Sequence, residues 1–383
     1  MERTYKFRLY PNKKQAELLG NNIDLCRLLY NNALEQRITA HKEGTSLNSA
    51  GQQRDLVKLK QNNPEYTVIY SHALQDVIKR LDLTYSHFFR RVKDKEKAGF
   101  PRFKSADRYR SITYDRYGFR VRESGRLYLT KVGEVRMFKH REIKGDMKTC
   151  NIKIDRVGDW WATIMVSIPD ALIKQPKTEI GVDVGLKTLA TISNGETITR
   201  HRHLKASEIK LKIIQREVAR KQKGSKNRRK CVRKLAKAHR KVERQRGDYL
   251  HKASRKLADS GDIVVFENLD IRNMLKNHRL SKSISDASWG KLMQYTAYKV
   301  EETGGSVYYA NPDGTSQICS RCGTVVKKSL SDRFHVCTKC GFSADRDLNA
   351  SFNILKRLPT GSGELFKTPV EALPLPSLSG GGK

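Results

Sequence analysis

The sequence predicts a multi-domain α/β protein. A small β barrel is interrupted by a helical insertion, and a mixed sheet follows that carries an inserted cysteine ribbon. Three observations lead there. Apolar and charged residues alternate at 3–9 and again across 126–167, on either side of a long stretch with helical spacing. From 178 onward, short apolar runs and helical patterns follow one another as β-β-β-α-β-α-β. Two C-x2-C pairs then stand between the last of those runs and a final helix.

At 383 residues and 43.9 kDa the chain has room for two or three domains. Lys and Arg number 76 against 40 Asp and Glu, a net charge of +36 that points to nucleic acid as partner. An acidic membrane surface is disfavoured, since no long apolar run or amphipathic anchor is present. The first residues lack the apolar segment of a signal peptide, and only four of the seven cysteines are patterned, as a metal site rather than a disulfide ladder. A cytoplasmic location is expected.

Residues 3–9 set Tyr5, Phe7 and Leu9 against Lys6 and Arg8 and end at Pro11, as one strand does. From about 13 to 93, Leu18, Leu19, Ile23, Leu25, Leu28 and Leu29 fall at helical spacing. So do Leu74, Val77, Ile78, Leu81, Tyr85, Phe88 and Phe89, with Ser71 as the expected N-cap. Residues 99–120 interleave aromatics with cations, among them Arg102, Phe103, Lys104, Arg108 and Arg110. Such a stretch can grip phosphates and stack on bases; equally it can be a strand with a solvated face. Several strands follow, closing at Trp160–Ile168, and residues 170–178 lead to the second half.

There, 180–184, 186–192 and 197–199 read as three strands, the last two joined by the hairpin pair Asn194-Gly195. A basic helical region spans about 204–258. Between Glu217 and Glu243 it has twelve Lys and Arg, including Arg228, Arg229 and Arg233, and no acid. A one-sign run repels itself unless a polyanion lies along it. Gly224 and Ser225 divide it into a helical hairpin. A buried-type strand at 262–269, a helix from about 286 ending at Gly304, a strand at 306–310 and a helix at 345–356 complete the pattern. The remainder, 358–383, is rich in Pro, Gly and Ser and reads as a disordered tail.

Three acids occupy telling places: Asp183 inside the first strand, Glu267 at the end of the fourth, and Asp347 or Asp345 at the start of the last helix. A lone carboxylate in an apolar strand is costly unless a cation binds it or the strand is an edge with the acid in water. The order is that of an RNase H-like nuclease core. Two Mg²⁺ ions about 3.5–4 Å apart, held by carboxylates, can drive an in-line phosphodiester displacement. Asp345 and Asp347 diverge by roughly 200° around a helix, so one alone faces the metal. Asp345 suits an N-cap, and Asp347 is the expected ligand. Cys319, Cys322, Cys337 and Cys340, with fourteen residues between the pairs, form a closed and therefore structural Zn²⁺ site. His335, His201 and His203 read as packing or surface residues, and Cys26, Cys150 and Cys231 as ordinary ones.

These motifs together resemble the TnpB family, RNA-guided nucleases encoded by insertion sequences and related to type V CRISPR effectors. The resemblance rests on Tyr5-Lys6-Phe7-Arg8-Leu9-Tyr10-Pro11 with Gln15, and on Gly99-Phe100-Pro101-Arg102-Phe103-Lys104-Ser105. Gly181-Val182-Asp183-Val184-Gly185, Glu267-Asn268-Leu269, the paired cysteines and Asp345-Arg346-Asp347-Leu348-Asn349-Ala350 complete it. Ser351 departs from the usual alanine, a change expected to matter little. The resemblance implies a wedge β barrel at 1–12 and 99–177 around a helical recognition domain at 13–98. It further implies a RuvC-like nuclease core at 178–310, finished by the helix at 344–357, and a zinc-ribbon, target nucleic-acid-binding insert at 311–343. The implied partners are a guide RNA from the transposon end and double-stranded DNA, with no membrane, in a monomer bound to RNA and associated with the nucleoid. The implied nucleic-acid contacts are Arg8 and the basic runs, with Ser71, His72 and Gln75 near the motif adjoining the target. A nuclease-silent guided repressor and a DNA-joining transposase are the alternatives.

Overall fold

The computed structural model describes residues 1–171, 175–329 and 332–358, so the expected tail beyond 358 lies outside the described residues. The chain divides into two compact units, Met1–Pro169 and Asp170–Lys383.

The first unit opens with β1 (Glu2–Tyr10), followed by α1 (Lys13–Lys42), α2 (Ser49–Arg54), α3 (Leu56–Asn62), a 3-10 turn and α4 (Ser71–Lys93). Six strands come next: β2 (Ser111–Asp115), β3 (Phe119–Val121), β4 (Leu127–Leu129), β5 (Gly133–Phe138), β6 (Asp146–Ile154) and β7 (Trp160–Ser167). All pair antiparallel in the order β2-β6-β7-β1-β5-β4-β3. β1 lies inside this sheet, in register with β7 from Glu2↔Ser167 to Leu9↔Trp160. Its alternation puts Tyr5, Phe7 and Leu9 in a core shared with Leu19, Ile23 and Leu34 of α1 and Leu74, Val77, Ile78 and Leu81 of α4. Among the described residues the edges β2 and β3 do not pair, so the expected barrel is an open seven-stranded sheet.

Asn12 and Gln15 form a reciprocal capping box at the start of α1, and Gln15 Nε2 also donates to Glu134 O at 2.9 Å. Two expectations are corrected in α4. Tyr70, stacked on Tyr114 at 5.8 Å, takes the N-cap position without a side-chain cap. Ser71 is already helical and accepts from Lys60 Nζ at 2.7 Å. Past Tyr85, which still packs partly against the core, the helix runs beyond it, leaving Phe89 exposed although its spacing matches the buried residues.

In the second unit, β8 (Glu179–Val184), β9 (Thr188–Ile192) and β10 (Thr197–Thr199) form a meander. The helical hairpin of α5 (His203–Ala219) and α6 (Lys226–Ser260) follows. Ser225 caps α6 by accepting from Arg228 N at 3.1 Å, and the preceding Gly224 has φ +86°. Then come β11 (Ile263–Glu267), α7 (Ile271–Met274), α8 (Ser281–Ala287), α9 (Trp289–Glu301) and β12 (Ser306–Ala310). The unit ends with the short strands β13 (Phe334–Val336) and β14 (Ser343–Asp345) and with α10 (Arg346–Lys356). The sheet order is β10-β9-β8-β11-β12, with β8, β11 and β12 parallel.

Leu250 and Leu257 of α6 and Leu292 and Val300 of α9 cover one face together with Val264 and Phe266. Ile354 of α10 packs with Val265 on the other. That double cover explains why β11 reads as an unbroken apolar run. The helix expected from about 286 starts at Trp289, because Ser288 in the left-handed region (φ 56°) separates it from α8.

Candidate active site

β8 and β11 run parallel, with Val182 beside Phe266. One step further along both strands stand Asp183 and Glu267, side by side at the C-terminal edge of the pair. The third acid arrives by an unusually close helix–strand contact. A Cβ on Gly181 would lie 2.1 Å from Ser351 O and 2.8 Å from Leu355 N, so only glycine lets α10 rest on β8. Asp347 lies in the first turn of that helix. Asp345 caps it, its Oδ1 accepting from Asp347 N at 2.8 Å and Leu348 N at 3.4 Å.

The acids sense one another. Burial first, then the charges of Glu267 and Asp347, hold the Asp183 carboxyl well above the usual carboxylate range, with Arg346 opposing. Glu267, 8% exposed, is raised by burial, against the lowering effect of the Thr315 hydroxyl that donates to its Oε1. Arg346 Nε stands 3.4 Å from Asp347 Oδ1. An all-oxygen donor set in which burial holds two members, Asp183 and Glu267, above the usual carboxylate range suits a hard divalent cation. The three carboxylates are looser than the cysteines, which among the described residues form the one group with all ligand atoms within 4.8 Å of one another.

The cysteines sit on two matching knuckles. Gly323 N donates to Cys319 O at 2.9 Å and Gly341 N to Cys337 O at 3.0 Å, each glycine having positive φ. Cys319 Sγ lies 3.7 Å from Cys340 Sγ, and Cys322 Sγ 3.6 Å from Cys337 Sγ. Zn–S bonds of about 2.3 Å require tetrahedral sulfur separations of about 3.8 Å, so the set fits zinc. Hydrogen bonds with Thr324 bring the Cys322 thiol down to about 6. Four such close sulfurs cannot all ionise without a cation. Phe342 N–H lowers Cys340, but burial and the neighbouring sulfurs outweigh it and push it up to about 12. His335 is fully buried beside Phe342, a packing residue as expected.

Helix α10 is also tied to this ribbon. Asn349 Oδ1 accepts from Ser320 N at 2.9 Å while its Nδ2 donates to Ile318 O at 2.8 Å. Asn353 Nδ2 donates to Thr315 O at 2.8 Å and to Ile318 O at 2.6 Å. Sequence reasoning missed Thr315 and Asn353, and placed Asn349 in its motif without giving it this role. The four-residue spacing of the two asparagines on one helix face was the available signal; Thr315 gave none.

Three family models match separate stretches of the chain. A family described as a probable transposase matches residues 163–278, a Cas12f1-like TNB domain 289–354, and a helix-turn-helix domain 1–46. That last segment here is one strand and one long helix. A protein of Streptomyces pristinaespiralis, named as a candidate RNA-guided DNA endonuclease, is 34% identical over 335 residues, covering 85% of this chain and 81% of that protein. A TnpB-like protein of Methanocaldococcus jannaschii is 35% identical over 100 residues, 24% of this chain and 22% of that one. The chain belongs to the TnpB family. A member from Escherichia coli, also named as a candidate RNA-guided DNA endonuclease, is 29% identical over 344 residues, covering 85% and 84%. In fold, the chain is similar to the mini-RNA-guided endonuclease CRISPR-Cas phi3, with a TM-score of 0.52, 10% identity, and coverage of 93% of this chain and 92% of that one.

The other candidate residues scatter. Arg8 is engaged, paired with Asp159 at 2.5 Å and stacked over Trp161 and Tyr10. Arg110 is likewise held, by Asp107 and Asp155 O. Arg102, Phe103, Arg108, Arg229 and Arg233 are exposed, and Lys104 and Arg228 half-buried. His72 Nδ1 lies 2.5 Å from Asp115 Oδ2, whose other oxygen accepts from Tyr70 OH at 2.7 Å. Gln75 is half-buried on the next turn. No helix among the described residues is long and apolar enough to cross a membrane.

Proposed function

We propose that this protein is an RNA-guided DNA endonuclease encoded by an insertion sequence, cutting double-stranded DNA by metal-dependent phosphodiester hydrolysis. The observation that carries the reading is the meeting of Asp183, Glu267 and Asp347 where β8, β11 and α10 converge. The second unit is then an RNase H-like core of the RuvC type with the zinc ribbon inserted at 311–343. Residues 1–12 and 99–177, most of them in the first unit, form a wedge around the recognition helices at 13–98. Mg²⁺ at the acids would supply activation of water and stabilisation of the leaving oxygen.

The chain's own groups keep those acids available. Thr315 orients Glu267 through its hydroxyl, Arg346 flanks Asp347, and Asp345 holds the first turn of α10 in place. By analogy with the family, both DNA strands are cut at this one cluster of acids, one after the other. Sequence is read by pairing between guide RNA and target, and the protein reads a short motif beside it. A nuclease-silent binder has no use for carboxylates kept out of water at a cost in stability.

The test begins with purification from cells that also express the DNA flanking the gene, followed by sequencing of bound RNA. One abundant RNA with a constant scaffold and a variable end is expected. With that RNA, Mg²⁺ and a matching duplex, the parent cuts while Asp183→Ala binds RNA without cutting. Heterogeneous RNA, or an Asp183→Ala chain cutting at the parent rate, overturns the reading.

A further inference from the structure

In the fold, the aromatic residues of 99–120 separate into two sets. Tyr109, Tyr114 and Phe119 are buried, at 8%, 1% and 2% exposure, and serve the core. Phe100, Phe103 and Tyr117 stay in water at 49%, 54% and 67%. Phe100 packs edge-on against Phe88, with centroids 5.4 Å apart at 78°, and against Tyr85 at 5.9 Å and 90°. Both of those α4 rings also touch Phe89, which is 61% exposed.

The loop that displays Phe100 and Phe103 is rigidly mounted. Pro101 is buried, and Asn31 of α1 clamps Lys104 from both sides, accepting from its N–H at 2.8 Å and donating to its carbonyl at 3.1 Å. Residues 87–110 carry nine Lys and Arg against three acids. Rings held out of the core by a fixed loop forfeit much of their hydrophobic stabilisation unless something covers them. An apolar protein partner would have to desolvate that dense positive charge. A polyanion with flat apolar faces matches both features.

We infer that Phe89, Phe100 and Phe103 form a stacking platform for unpaired bases of the guide RNA, with Arg102 and neighbouring cations taking the phosphates. The inference rests on the RNA-guided reading and adds the place where single-stranded guide segments are held. Paired bases hide their faces in the duplex, so unpaired ones are selected.

The test uses the full chain carrying Asp183→Ala, so that cleavage plays no part, and an unpaired adenine oligoribonucleotide titrated at several salt concentrations. Combining Phe100→Ala with Phe103→Ala should weaken binding about tenfold or more with an unchanged slope of log affinity against log salt. Phe100→Tyr with Phe103→Tyr should restore it. Arg102→Gln should instead flatten the slope by about 0.7. Among the described residues Phe103 makes no ring contact like those of Phe100, so Phe103→Ala alone should weaken binding in the same direction while the melting temperature stays at that of the parent. Four results overturn the platform: unchanged affinity, a flattened slope on ring removal, equal loss for a blunt RNA duplex, or loss of self-association without nucleic acid. Ring-dependent binding confined to a single-stranded DNA oligonucleotide overturns the assignment to guide RNA. Absence of guided cutting by the parent, with ring-dependent RNA binding intact, would sink the nuclease reading alone.

Discussion

A carboxylate kept from solvent beside two other acids destabilises the fold that contains it, and Asp183 is such a group. Its raised pKa means the metal-free folded chain binds more protons than the unfolded chain, from about pH 4 up to the raised value. Stability therefore falls as pH rises through that window, and Glu267, also raised, adds in the same direction. Asp183→Asn removes the larger part. In metal-free buffer near pH 7 the variant should melt above the parent, and the difference should vanish below about pH 4. Mg²⁺ should raise the parent's melting temperature and leave the variant's nearly unmoved; identical melting of the two at every pH would remove the acid cluster from the account. Thr315 acts on the neighbouring acid. Thr315→Val leaves Glu267 without its hydroxyl donor, and the Mg²⁺ concentration for half-maximal cutting should rise about 10- to 100-fold, with Thr315→Ser restoring it. A variant with unaltered Mg²⁺ dependence would make the contact incidental.

Helix α10 joins two sites that are separate in sequence. Its first turn carries Asp347, Gly181 lets its middle rest on β8, and Asn349 and Asn353 fasten it to the first cysteine knuckle. Stripping zinc should thus be felt at the acids. A chelator, or Cys337→Ser, is expected to speed amide exchange in 346–356 and reduce cutting together, while the melting of the first unit stays put. Protected α10 amides in the stripped protein would show the ribbon to be mechanically independent. The strands and long helices were legible because period-two and helical spacing run for many residues, and the places of the three acids on their elements followed from the same patterns. Elements of four and seven residues, α7 and α8, are too short to show a period. Phe89 kept helical spacing after its helix had left the core, which no local pattern records. Arg8 and Arg110 were likewise expected as nucleic-acid contacts, whereas the sheet brings Asp159 and a loop brings Asp107 to them. Thr315 meets Glu267 only through tertiary folding.

At the scale of the molecule, each unit has a core of its own. The first apolar cluster draws only on residues up to Ile168, and the other two begin at Ile180. Both units are basic. Residues 1–169 carry 34 Lys and Arg against 19 Asp and Glu, a net +15, which leaves +21 of the total +36 to the rest. On the RNA-guided reading, a charge excess in both units predicts nucleic-acid contacts on both, and such binding is read by its salt dependence. Residues 1–169 expressed alone should therefore unfold in one cooperative transition, since no part of their core is missing. Their log affinity for unpaired RNA against log salt should have a clearly shallower slope than that of the full chain, each phosphate neutralised contributing about 0.7. Equal slopes would confine RNA contacts to the first unit and leave the one-sign run that leads into and opens α6 without its polyanion. A fragment with no RNA affinity at all would move every contact to the second unit and remove the stacking platform with it.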